Sequence, residues 1–260
     1  MKKFLTALLL FFVSTSITLG DGLKKIEILG GWERSDGSIV YGLKISLNEG
    51  WKTYWHTPGA MGLKPQFDFE GSLNIGSLVV LWPSPKMFGS SGFETIGYEN
   101  EVILPIAIKA VVSSDPVNLK IKGSIGICYD VCMPIEFEAQ SGLKIISKEI
   151  NTDLLAALAN LPLSPSDLGK KNARCSITFS STGFKIEADI PYLEKTSSSI
   201  FFSIMDYRFD LSIEQPKLFN PGKPISAVGE WRDNLNLKIN GDLVTITQLD
   251  EGQVIEQNGC

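Results

Sequence analysis

An apolar residue at every second position is what most constrains this chain. Ile39, Tyr41, Leu43, Ile45 and Leu47 alternate with Val40, Gly42, Lys44 and Ser46. Val102, Leu104, Ile106, Ile108 and Ala110 repeat the pattern, as do Val117, Leu119, Ile121, Ile125 and Ile127. Strand side chains alternate between faces, so this period predicts half-buried strands, and the Gly, Pro, Asn and Ser residues around them predict turns. Pro105 interrupts the second run; without an N–H it predicts an edge strand or a bulge. One segment reads as a helix, with Thr152 as N-cap, then Asp153 and the apolar Leu154, Leu155, Leu158 and Leu161. Pro162, Pro165 and Gly169 follow at once, which makes residues 161–171 a linker. Strand signals resume at 176–179, 184–190, 200–204, 235–239 and 243–247, with Asn240-Gly241 as a two-residue hairpin turn between the last two. The expected fold is all-β: two β-sandwich domains, residues 22–150 and 172–260, joined by a short helix and linker at 151–171.

The N-terminus sets an expected compartment. Met1-Lys2-Lys3 precedes an apolar run at 4–13 and a small, polar exit at 14–20. This is the layout of a cleaved signal peptide, with cleavage near Gly20. The run of about ten apolar residues is half of what a bilayer span needs. Loss of residues 1–20 removes two lysines and no acid, taking the net charge from −5 to −7. Such an acidic chain lacks the basic footprint of a nucleic-acid binder. Its one histidine cannot build a His-rich metal centre. Four cysteines in an exported chain are enough for one or two deliberate bridges.

The chemistry concentrates in Gly126-Ile127-Cys128-Tyr129-Asp130-Val131-Cys132-Met133-Pro134. Cysteines four apart in a regular strand stand about 13 Å from one another, against a disulfide reach of about 4.4–6.8 Å between Cα atoms. They can bond only if the chain turns between them, as one helical turn or as a tight hairpin around Asp130. A ring so small removes little entropy from the unfolded chain and is a weak staple. Three readings stay open on these residues: a redox-active pair, an inert small-ring disulfide, or a copper(I) site with Met133. A zinc site lacks ligands and a C-x-x-C-H haem site has the wrong spacing. The sequence neighbours are Asp130, Glu136 and Glu138, with no Lys or Arg between Gly123 and Leu143, so the thiols are expected at or above their ordinary pKa. Such a pair suits exchange with chosen partners better than promiscuous oxidation. Cys175 and Cys260 read either as a bridge that ties the ends of the second domain together, or as unpaired with each other, Cys260 being a free or intermolecular thiol on the terminus.

The longer motifs resemble a known family. Gly50-Trp51-Lys52-Thr53-Tyr54-Trp55-His56-Thr57-Pro58-Gly59, Gly62, Pro65, Trp82-Pro83-Ser84-Pro85, Met87-Phe88-Gly89, residues 97–105 and Gly126-x-Cys128-x-x-x-Cys132-x-Pro134 are similar, over about residues 30–145, to the periplasmic N-terminal domain of the membrane disulfide reductases of the DsbD family. The downstream half is more loosely similar to the related copper-tolerance reductase ScsB. The resemblance implies immunoglobulin-like domains and a Cys128/Cys132 pair that relays electrons. The donor would be a membrane-embedded thiol reductase and the acceptor a periplasmic thioredoxin-like protein, in settings such as cytochrome c maturation or copper tolerance, with no cofactor. By family position Cys128 would be attacked first. A cap loop at residues 86–91, with Phe88 as shielding aromatic and Gly89 and Gly92 as hinges, would cover the pair. Tyr98 is expected beside the pair or in the core, and Asp130 as turn former or proton relay. Trp51, Trp55 and His56 read as scaffold. Two departures stand out: the family's cysteines are spaced more widely than here, and this chain has neither the membrane core nor the thioredoxin-like domain of the full-length reductases.

Overall fold

The computed structural model describes residues 22–59, 61–89, 94–142, 149–192, 199–204, 217–218, 224–230, 239–250 and 252–260. The expected signal peptide, the cap residues 90–92 and the strand signal at 235–238 lie outside them. The chain is all-β, built as two immunoglobulin-like sandwiches. Among the described residues no helix is long and apolar enough to cross a membrane.

In the first sandwich the strands are β1 (Leu23–Glu33), β2 (Ile39–Leu47), β3 (Lys52–Tyr54), β4 (Gln66–Asp68), β5 (Ile75–Val80), β6 (Lys86–Phe88), β7 (Thr95–Glu99), β8 (Glu101–Ala110), β9 (Lys120–Cys128) and β10 (Cys132–Gln140). One sheet runs β1-β2-β8-β5; the other runs β10-β9-β3-β7-β6, with β4 also paired to β9. The alternating residues read from the sequence fill the space between them: Tyr41, Leu43, Ile45, Leu104, Ile106, Ile108, Leu119, Ile121, Ile125 and Ile127 are all buried. The helix α1 (Thr152–Ala159) covers the other face of the first sheet, where Leu154 packs on Val40 and Ile103. This explains why β2 is buried on both faces at its start. Asn151, not Thr152, caps the helix, its side chain accepting from Leu154 N at 3.0 Å.

Pro105 corrects the expectation of an edge or bulge. It sits opposite Gly42 of β2 in β8, a strand that has β2 on one side and β5 on the other. Its carbonyl accepts from Leu81 N at 2.7 Å, so the side that lacks a donor faces the point where β5 has ended. The ladder to β2 loses nothing, because a residue's N–H and C=O in an antiparallel ladder point to the same neighbour.

The second sandwich comprises β11 (Arg174–Phe179), β12 (Gly183–Asp189), β13 (Ser199–Ile204), β14 (Lys217–Leu218), β15 (Ile225–Glu230), β16 (Val244–Asp250) and β17 (Gln253–Asn258). Its sheets are β11-β12-β15 and β14-β13-β16-β17. Ile186, Ile200, Phe202, Val244, Ile246 and Ile255 are buried between them. Asn240-Gly241 does not form the expected two-residue I′ turn: Asn240 has φ −85°, outside the positive φ that turn needs, and caps a short 3-10 turn at Gly241–Leu243. Asn240 is as good a helix cap as a turn former, and its side chain here accepts from Asp242 N.

The two sandwiches share apolar surface. Phe201, Leu249 and Val254 point away from their own core and join the core of the first sandwich. The segment 161–171, expected as linker, holds a second short 3-10 turn (Pro165–Leu168) and pairs Leu163 with Ile255.

Candidate functional site

Cys128 closes β9 and Cys132 opens β10, as directly opposed residues of the ladder. Only Tyr129, Asp130 and Val131 lie between, so of the two turns open to the sequence the structure takes the hairpin. The Cα atoms are 4.1 Å apart and the sulfurs are bonded. The loop stands out from the protein: Tyr129 is 55% and Val131 71% exposed, and Asp130 and Cys132 are exposed as well, while Cys128 is half-buried. Cys132 is thus the more exposed residue of the pair. Asp130 sits at the loop tip as a turn residue.

Residues opposed in a ladder share a face, and the register therefore sorts the neighbours. Lys52 of β3 stands opposite both Cys128 and Glu99. Thr53 stands opposite Ile127 and Tyr98, on the core side. Tyr98 accordingly takes the core alternative and not the place beside the cysteines. It is buried, its hydroxyl donates to Pro83 O at 2.8 Å, and burial followed by the Glu256 charge pushes its pKa well above the ordinary value.

The aromatic that does touch the pair is Tyr54, whose hydroxyl donates to Cys132 Sγ at 2.9 Å. Tyr54 is 3% exposed, and burial raises its pKa. Its ring crosses β9 over Gly126, where a Cβ would stand 2.7 Å from Tyr54 Cδ2 and Cε2. Only glycine permits this close approach. The sequence signal for it is the glycine two residues before Cys128, together with an aromatic on the outward face of β3. Neither identifies the contact without the register.

The electrostatic expectation also changes. No cation lies near the cysteines in sequence, but Lys52 lies directly across the ladder from Cys128. Its ammonium is 3.7 Å from Glu99 Oε1, donates to Gly50 O at 3.1 Å and stands 5.4 Å from the centroid of the Phe88 ring. Phe88 is half-buried at the end of β6, and Phe88 and Cys128 flank the same lysine. Gly89 follows with φ +99°, a conformation that turns the chain after Phe88 at no Cβ cost. Trp51 packs partly on the core with its ring 5.9 Å from that of Tyr129, and Trp55 is fully buried. His56 meets Thr57 through Nδ1 at 2.9 Å and Glu256 of β17 at 3.3 Å through Nε2, so one of its contacts reaches the second sandwich. A cleft of about 800 Å³ lies between Ser84–Met87 and Leu249, Asp250 and Gly252–Val254, so the approach to Phe88 borders the second sandwich.

Among the described residues no group of three or more His, Cys, Asp or Glu side chains could hold a metal ion. Cys175 and Cys260 form the second disulfide, with Cα atoms 5.2 Å apart.

Comparison with known proteins agrees with this geometry. Residues 32–142 match the family model described as thiol:disulfide interchange protein DsbD, N-terminal. A search of curated proteins finds no match. Among solved structures the chain is similar to the N-terminal periplasmic domain of ScsB from Proteus mirabilis, with a TM-score of 0.58 and 22% identity over 87% of this chain and 90% of that one. Residues 32–142, which hold the Cys128–Cys132 hairpin and every motif named above, therefore form a domain of the DsbD N-terminal family.

Proposed function

We propose that this protein is a periplasmic thiol–disulfide relay in which Cys128 and Cys132 cycle between dithiol and disulfide. The observation that carries the reading is an exposed disulfide closing a three-residue hairpin in a domain of the DsbD N-terminal family. A ring this small adds little stability, so its value lies in opening. A membrane-embedded thiol reductase supplies electrons and a periplasmic thioredoxin-like protein receives them. The periplasmic location rests on the ScsB likeness and on the signal-like N-terminus. The relay sandwich spans residues 22–150 and the second one 172–260.

Cys132, the more exposed residue of the pair, is the one that exchanges with partners, and Cys128 resolves. This reverses the assignment by family position. Phe88 and Gly89 begin a cap that limits access. The test is equilibration of the mature protein with glutathione buffers, followed by acid trapping and thiol counting. The Cys128/Cys132 pair is expected to titrate within biological poises, near −200 to −300 mV or about that range. A pair that stays oxidised across all of them would sink the reading.

Phe88→Ala tests the cap. Reduction of the pair by a small thiol is expected to quicken several-fold, because the aromatic no longer restricts the approach, while the equilibrium potential changes little. An unchanged rate removes Phe88 from that role.

A further inference from the structure

We propose that Tyr54 is a catalytic residue of the relay: its hydroxyl donates to Cys132 Sγ, stabilises the Cys132 thiolate in the reduced protein and so selects Cys132 as the attacking sulfur. This rests on the relay reading above and names the group that makes one of two adjacent cysteines the nucleophile.

Three observations carry it. The hydroxyl lies 2.9 Å from Cys132 Sγ, and Cys132 is the exposed member of the pair. The ring is fixed from below by Gly126, which leaves room for it across β9, and Leu63 closes over the same position. Tyr54 is itself 3% exposed, so little water competes for the hydroxyl. Burial also keeps the phenol protonated through the neutral range, and a protonated phenol facing a thiolate can only donate. A hydrogen bond to the charged form of a group lowers the cost of ionising it.

The exchange balances without any other reagent. Cys132 loses its proton to solvent, and its thiolate attacks one sulfur of a client disulfide. That S–S bond breaks, and its electron pair leaves on the client's second sulfur, which takes a proton from solvent. Cys128, deprotonated in turn, attacks Cys132 Sγ. The mixed disulfide breaks and the client's first sulfur departs as a thiolate and is protonated. The client disulfide gains two electrons and the cysteine pair loses two; Tyr54 keeps its proton throughout.

The test is the pH profile of iodoacetamide alkylation in the mature chain reduced with a phosphine, resolved for each cysteine by peptide mass spectrometry. Tyr54→Phe keeps the ring and removes the donor. It is expected to raise the Cys132 midpoint by about one unit, leaving about tenfold less thiolate at neutral pH, with Cys128 little changed. The other charged groups of this face (Lys52, Lys86, Glu99, Asp130 and Glu136) are present in both proteins, so the difference isolates the hydroxyl. Gly126→Ala, which must push the ring aside, is expected to shift Cys132 in the same direction with the hydroxyl intact. An unchanged Cys132 midpoint in Tyr54→Phe, or an equal shift at both cysteines, overturns the proposal. Failure of the wild type to exchange with glutathione would remove the relay instead and leave the alkylation result standing.

Discussion

Cys128→Ser protein, reduced and returned to the periplasm of producing cells, is expected to accumulate as a covalent complex with its client through Cys132, while Cys132→Ser forms no such complex and loses exchange to background. The asymmetry follows from accessibility. Cys132 is exposed and Cys128 half-buried between its hairpin and β3, so a folded partner reaches Cys132 first. Once the mixed disulfide forms, only a thiolate next to it can break it quickly. Cys128 stands 4.1 Å away by Cα and supplies that thiolate at high effective concentration. Serine in its place cannot, and the complex persists through non-reducing electrophoresis. Mass spectrometry of the band then identifies both the partner and the bridged cysteine. A binding module with an inert bridge behaves differently: its double serine variant keeps partner binding and biological activity, and neither single variant is trapped. Equal trapping through Cys128 would instead reverse the order of attack.

Much of the fold was legible because strand burial follows a period of two. The runs at 39–47 and 102–110 became β2 and β8 with their apolar sides inward, since a one-residue slip would expose every one of those side chains. What the sequence misjudged were places where pairing, not patterning, decides. Pro105 is harmless in an interior strand because β5 happens to stop beside it. Asn240 serves a 3-10 turn because its φ stays negative. At the site, the spacing required a turn between the cysteines but left a helical turn and a hairpin equally open, and the environment of the pair was not readable at all. Lys52 and Tyr54 lie more than 70 positions away in the chain and reach the cysteines only through the register of β3 on β9. Tyr98 and Tyr54 are both aromatics on neighbouring strands, and one residue of register puts Tyr98 in the core and Tyr54 on the sulfur. An electrostatic reading limited to sequence neighbours therefore found only acids.

The double variant Cys175→Ser/Cys260→Ser is expected to lose about 4–5 kcal/mol of stability, against about 2 kcal/mol for Cys128→Ser/Cys132→Ser. The difference comes from loop length. One bridge closes a separation of 85 residues and the other a separation of 4, and loop-closure entropy lost by the unfolded chain grows with the logarithm of that length. The larger bridge also fastens both ends of the second sandwich: Cys175 is in its first strand, and Cys260 lies just past its last, where Cys260 N donates to Gly241 O at 3.1 Å. Gln257 reinforces the same closure by accepting from Ala173 N and donating to Ala173 O, so the variant should remain folded at low temperature. Denaturant unfolding of the mature chain under non-reducing conditions, followed by tryptophan fluorescence and circular dichroism, checks both values. Phe201, Leu249 and Val254 belong to the core of the first sandwich, so the destabilisation should spread to the transition reported by the buried Trp55. A loss confined to the second sandwich would mean that the shared apolar surface does not couple the two. Comparable losses for the two double variants would contradict the division of labour between a bridge that holds the fold and one that is free to open.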